Sequence, residues 1–141
     1  MNRPKTTIAD FPVTTTIKVE WRHMDAAGHV HNMQHLGYFE TCRIAFFEAL
    51  NFEVVPQNGV GIVVAKVDCT YIYPITYPDT LTGAVRVTEY GDDFITLNMY
   101  LFSEKYDKVV AISNQKLVFY HYGKKEKAAR PDDFLERLKG L

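Results

Sequence analysis

His31-Asn32-Met33-Gln34-His35-Leu36-Gly37-Tyr38-Phe39-Glu40-Thr41-Cys42-Arg43-Ile44-Ala45-Phe46-Phe47-Glu48-Ala49-Leu50-Asn51 contains the only strong helical period in the chain. Leu36, Phe39, Arg43, Phe46 (with Phe47) and Leu50 fall at steps of three and four, an apolar stripe interrupted by one arginine. Asn32 is a suitable N-cap, and Asn51 suits the left-handed conformation that ends a helix.

Working outward, the rest of the chain reads as strand. Thr14 to Trp21 alternates and is rich in β-branched residues, which predicts a first strand. Gly61 to Tyr73 predicts a second, with Val63, Ala65, Val67, Cys69 and Tyr71 on one face and Ile62, Val64 and Ile72 on the other. Pro74, Pro78 and Asp79 mark a turn. Thr80 to Glu89 alternates again, and Tyr90-Gly91-Asp92-Asp93 is a hairpin signal before Phe94 to Ser103. Glu104 to Lys108 turns the chain once more, and Val109 to Tyr122 predicts the last strand. A basic loop (Lys124, Lys125, Lys127, Arg130) leads to a short helix with Pro131 near its start, carrying Phe134, Leu135 and Leu138. The order is strand, helix, then four long strands in antiparallel meander. It predicts one α+β domain over residues 1–141, with a polar lead of about a dozen residues. One helix cannot cover both faces of a five-stranded sheet this apolar, so a homodimer at least is expected.

Composition narrows the function classes. The chain has 141 residues, 47% hydrophobic and 23% charged, which excludes disorder and low-complexity classes. Lys+Arg number 16 and Asp+Glu 17, so no global field draws the protein to nucleic acid or an anionic membrane. No stretch approaches the roughly 18 apolar residues of a membrane span. The N-terminus lacks the apolar core of a signal peptide, which makes the cytoplasm the expected location. Cys42 and Cys69 read as small buried hydrophobes, not as a disulfide framework.

The chemistry gathers just before the helix, in Trp21-Arg22-His23-Met24-Asp25-Ala26-Ala27-Gly28-His29-Val30-His31-Asn32. Backbone amides at a helix N-terminus carry partial positive charge and suit a developing oxyanion. Asp25 is the only carboxylate in this loop, and Gly28 permits close approach of backbone to a ligand. A carboxylate and an oxyanion site within a few residues are the minimum for acyl transfer. Asp25 also reads as an ordinary turn residue. His31 and His35, four apart, could share a helix face as metal ligands do. No cysteine or matched acid completes a tetrahedron, however, so no metal or other cofactor is expected. They read instead as polar residues lining one pocket, with His29 at the surface or a subunit contact. Glu40 and Arg43 read as a helix ion pair, or, more sharply, as a source of a second catalytic carboxylate. No nucleophile elbow or phosphate loop is present.

Asp25-Ala-Ala-Gly28-His29-Val30-His31-Asn32-Met-Gln-His35-Leu-Gly-Tyr38-Phe39-Glu40-Thr-Cys-Arg43 resembles a known signature, Asp-x-x-Gly-His-Val-Asn-Asn-x-x-Tyr-Leu-x-Tyr-Phe-Glu-x-Ala-Arg. That signature belongs to hotdog-fold acyl-CoA thioesterases, in the 4-hydroxybenzoyl-CoA thioesterase-like branch. Val67-Asp-Cys-Thr-Tyr71-Ile-Tyr73-Pro74 with Asp79 resembles the family's second strand and following turn, so the similarity spans about residues 14 to 122. The resemblance implies a long helix wrapped by an antiparallel sheet, edge-to-edge dimers with active sites at their interface, and often tetramers. It also implies hydrolysis of an acyl-CoA or acyl-carrier-protein thioester, with Asp25 as nucleophile or general base. The amide at Asn32 would polarise the carbonyl, and Gly28, His29, Val30, His31 and His35 would line the substrate site. His31 and His35 replace an Asn and a Tyr of the signature, and His23 replaces a frequent acid, which bears on the acyl group accepted. Two other readings compete: an acyl-thioester-binding module without turnover, and a hydratase or dehydratase using His31 with Glu40.

Overall fold

The protein is described by a computed structural model covering residues 8–141. Its elements are β1 (Val13–Lys18), α1 (Gln34–Ala49), β2 (Val60–Val67), β3 (Thr70–Tyr71), β4 (Thr80–Tyr90), β5 (Phe94–Ser103), β6 (Lys108–His121), β7 (Glu126–Lys127) and α2 (Phe134–Lys139). The five longer strands pair antiparallel in the order β1-β4-β5-β6-β2, and the two-residue β3 and β7 add to β6. Of the polar lead, residues 1–7 lie outside the described residues. Ile8–Asp10 forms a single 3-10 turn, and Phe11 is buried against Tyr100, ring centroids 4.9 Å apart.

The expected meander holds for β4, β5 and β6 but not for β2. Strand β2 pairs with β6 at the far edge, while β4 continues the sheet toward β1. The connection explains this. Between β3 and β4 the chain contains Pro74 and Pro78, which cannot donate ladder hydrogen bonds, and it is too long for a tight hairpin. It crosses the end of the sheet instead. Ile72 and Tyr73 donate their N–H groups to the Val110 carbonyl (2.9 and 3.1 Å), and the Ile75 carbonyl accepts from Val30 N–H (2.8 Å). The second predicted strand is also broken in two. A bulge between Val64 and Lys66 upsets its alternation, and β2 ends at Val67.

Helix α1 packs across β1, β4 and β5, with Phe39, Cys42 and Phe46 fully buried. The buried stripe begins with His35 and Tyr38; Leu36, expected inside, is 44% exposed. Gly83 on β4 makes the close approach possible, because a Cβ there would overlap the Cys42 sulfur. Arg43 donates to Gln115 Oε1 on β6 (2.7 Å) and lies 4.0 Å from Glu40, the structural pairing. Asn51 ends the helix with φ 51°. The helix start differs from expectation: Met33 takes the cap position, and Asn32 contributes no side-chain cap.

The first strand also ends early. It stops at Lys18, and Trp21–His23 forms a 3-10 turn that leaves Trp21 73% exposed. At the other end, α2 is docked by aromatic packing. Phe134 is fully buried, its ring 5.2 Å from Phe119 and 5.5 Å from Phe52. Arg137 donates to the carbonyls of Leu50 (3.2 Å) and Asn51, tying α2 to the end of α1.

Candidate active site

The loop between β1 and α1 is a small clamped hairpin. At its base, His23 Nδ1 accepts the Glu20 backbone N–H (3.2 Å), so the imidazole carries its proton on Nε2, 3.0 Å from Glu20 Oε2. The Tyr38 hydroxyl, 2.7 Å from the same Nδ1, is then the donor. Burial pushes the Tyr38 phenol up to about 12, Glu20 adding to the shift and Arg22 opposing it, so this donor persists at any working pH. His23 and Tyr38 are both buried, and together they fasten the loop to α1.

From that base the chain folds back on itself. His31 N–H donates to the His23 carbonyl (2.9 Å), Met24 bridges Val30, and Asp25 N–H donates to the His29 carbonyl (2.8 Å). The tip closes with Gly28 N–H on the Asp25 carbonyl (3.1 Å), and Gly28 has φ 80°. A Cβ at Gly28 would meet nothing within 4 Å, so glycine is needed here for its backbone angle. The Asp25 carboxylate supports this turn through one oxygen only. Oδ1 accepts from Ala27 N–H (2.8 Å) and His29 N–H (3.3 Å), while no described residue donates to Oδ2. Asp25 is therefore a turn residue with a free carboxylate oxygen.

At the start of α1, His31 engages the first amides. Its Nδ1 accepts the Met33 N–H (3.0 Å) and its carbonyl accepts the Gln34 N–H (2.9 Å). Two of the expected oxyanion donors are thus occupied. The Asn32 N–H has no acceptor among the described residues, and the Asn32 carbonyl is pinned by the Tyr71 hydroxyl (2.8 Å).

Asp25, His29, Val30, Asn32 and His35 meet in one pocket of about 300 Å³, whose other wall is the segment Tyr71–Ile75. Gly28 and His31 do not line it. Glu40 lines a separate, mostly apolar cavity of about 200 Å³ with Arg43 and Ile44, so the structure does not bring His31 and Glu40 together. A wider cleft of about 740 Å³ opens between Trp21 and Tyr77. Three carboxylates line it: Glu20, which pairs with Arg22 and His23; Asp79, which accepts from the Ser103 hydroxyl (2.5 Å) and the Lys105 backbone N–H (3.1 Å); and Glu104. Asp25 is the carboxylate among the residues that line the smaller pocket, where it stands beside Asn32 and His35.

Sequence reading missed Tyr71 as a pocket residue, because the predicted strand ran straight through it. The available signal was the Pro74 that interrupts the strand soon after. Among the described residues there is no group of three or more His, Cys, Asp or Glu side chains arranged to hold a metal ion.

The fold, one long helix packed against a curled antiparallel sheet, defines a class, the hotdog thioesterases. The profile of the thioesterase-like superfamily matches residues 19–138, and the chain belongs to that superfamily. It is similar to the PA2801 protein of Pseudomonas aeruginosa, at 27% identity over 87% of this chain and 95% of that one, TM-score 0.79. The DHNA-CoA thioesterase of Staphylococcus aureus shares the fold at 17% identity, covering 90% and 88% of the two chains, TM-score 0.80. The uncharacterized protein YsmA of Bacillus subtilis (strain 168) is 27% identical over 88 residues, 62% of this chain and 59% of YsmA. The match thus spans less than two thirds of that relative.

Proposed function

We propose that this protein hydrolyses an acyl-CoA thioester to free acid and thiol in the pocket between the 25–32 loop and Tyr71–Ile75, with Asp25 as nucleophile or general base. The carrying observation is the Asp25 carboxylate: one oxygen is fixed by two backbone amides, and the other is free in a pocket shared with the unengaged Asn32 N–H. A fixed carboxylate needs no reorganisation to reach its reactive geometry, which is the advantage preorganised groups have over solvent. The Asn32 amide is the donor to the thioester oxygen as negative charge develops there. One such donor typically contributes on the order of a hundred- to a thousandfold in rate. Val30 and Ile75 supply the apolar wall against which the acyl group lies, and His29 stands at the exposed rim.

The working form is a homodimer or a dimer of dimers, and its compartment is the cytoplasm. The support for assembly is the sheet edge. Val64 and Val67 on β2, with Tyr71, Ile72 and Tyr73 beyond it, expose 37–50% of their surfaces along a sheet edge that is paired on one side only, with β6.

Thiol release followed with a disulfide reagent tests the reading. The wild type should turn over at least one member of a panel of short, medium, long and aromatic acyl-CoAs, or the matching acyl-carrier-protein esters. Binding of such esters without thiol release would replace hydrolysis by the binding-module reading.

A further inference from the structure

His35 sits one helical turn before Tyr38, buried, and lines the same pocket as Asp25. Its Nδ1 lies 3.2 Å from the His31 carbonyl oxygen. A carbonyl can only accept, so Nδ1 carries the proton. The other nitrogen, Nε2, is the unprotonated one in the neutral ring. No described residue bonds to it, yet no buried polar side-chain atom in the described protein lacks a partner. Nε2 is therefore solvent-accessible, and the pocket that His35 lines is the one it shares with Asp25. The Tyr71 ring packs edge-on against the imidazole (4.7 Å) and fixes its plane, with Tyr38 tilted beyond it at 6.3 Å.

From this geometry we infer that His35 is a catalytic residue, its Nε2 accepting the proton of the hydrolytic water. This rests on the thioesterase reading above and assigns the second half of the reaction. Asp25 Oδ2 bonds to the acyl carbon and the C–S bond breaks, releasing the thiolate, which takes a proton from solvent. A water oxygen then attacks the acyl carbon of the resulting anhydride while its proton passes to His35 Nε2. The bond to Asp25 breaks, the carboxylate is restored, and the acid leaves. The imidazolium returns its proton to solvent, so the sum is thioester plus water giving acid plus thiol. The charged and titratable groups around His35 suit this role. Once the bond to Asp25 breaks, its restored carboxylate faces the imidazolium across the pocket until the proton returns to solvent, and the Tyr38 and Tyr71 phenols remain neutral, both raised by burial above their ordinary value. Burial also holds the His35 imidazole below its ordinary 6.5, partly offset by the His31 carbonyl, so the base is neutral and available at neutral pH.

The test separates the Nδ1 edge from the Nε2 edge. In His35→Asn the side-chain amide still reaches the His31 carbonyl but carries no group at the Nε2 position. It should fold, shown by an unchanged circular dichroism spectrum, and lose a hundredfold or more of kcat, within the range for one general base. KM should stay within about threefold of wild type, and the acidic limb of the wild-type kcat profile should change. In His35→Ala, added imidazole should restore part of the lost rate. If the wild type turns over while a folded His35→Asn keeps kcat within about threefold with the same profile, His35 is structural and the inference fails alone. A wild type that cleaves no thioester overturns both the inference and the function it rests on. Should the Asn variant misfold, absence of imidazole rescue in His35→Ala overturns the assignment.

Discussion

Asp25 and His35 are held by the same means: each has one polar atom tied to backbone and the other left open to the pocket. That asymmetry has a consequence for stability. Burial lowers the His35 pKa in the folded protein, so the unfolded chain takes up the proton first as pH falls. By linkage, the stability due to neutral His35 is complete above its ordinary 6.5 and is lost as pH drops through the lower folded value. Urea midpoints measured from pH 7.5 down to 5 should fall for the wild type and fall less for His35→Asn. Equal slopes would show that His35 does not carry the pH dependence. Asp25 was legible in the sequence because a single carboxylate stood in a polar loop ahead of a helix. The part of His31 was not legible, because it depends on the helix starting at Gln34, which turns that ring onto the Met33 amide. The His35 tautomer was equally hidden, since it follows from a carbonyl four residues back.

Among the elements, the helix and the three meander strands were readable because most of each follows one period, the register shifts at Val87/Glu89 and Leu101/Phe102 falling near strand ends. The 91–93 hairpin was visible for its Gly-Asp-Asp turn, and the structure closes it with Gly91 N–H on the Phe94 carbonyl (3.0 Å). β2 resisted because its bulge shifts the alternation midway, and periodicity does not report which neighbour a strand chooses. The Tyr71 contact with Asn32 was lost with it. α2 was readable as a short helix, while its anchoring was not. Phe134 fills a site between Phe52 and Phe119 that comes from three distant parts of the chain. Phe134→Ala removes a fully buried ring and should cost about 3–5 kcal/mol, read as a lowered urea midpoint. A shift below about 1 kcal/mol would mean that the site collapses or that α2 contributes little.

For the whole molecule, the sheet leaves β2 as an edge with exposed valines, and no helix among the described residues is long and apolar enough to cross a membrane. Light scattering should give the mass of a dimer or tetramer for the wild type. Val64→Glu, which puts a charge on that edge, should shift the mass toward monomer. A monomeric wild type would remove the proposed assembly. The hydrolytic function itself depends on the free oxygen of Asp25, and one comparison probes it most directly: thiol release from an acyl-CoA that the wild type accepts, measured beside Asp25→Asn. The substitution keeps an oxygen acceptor for the Ala27 and His29 amides, so the turn should survive while the carboxylate is lost. The expected result is a folded variant with at least a hundredfold less turnover, the scale of a lost nucleophile or base. An Asp25→Asn protein that cleaves the thioester at the wild-type rate would contradict the mechanism at its first step.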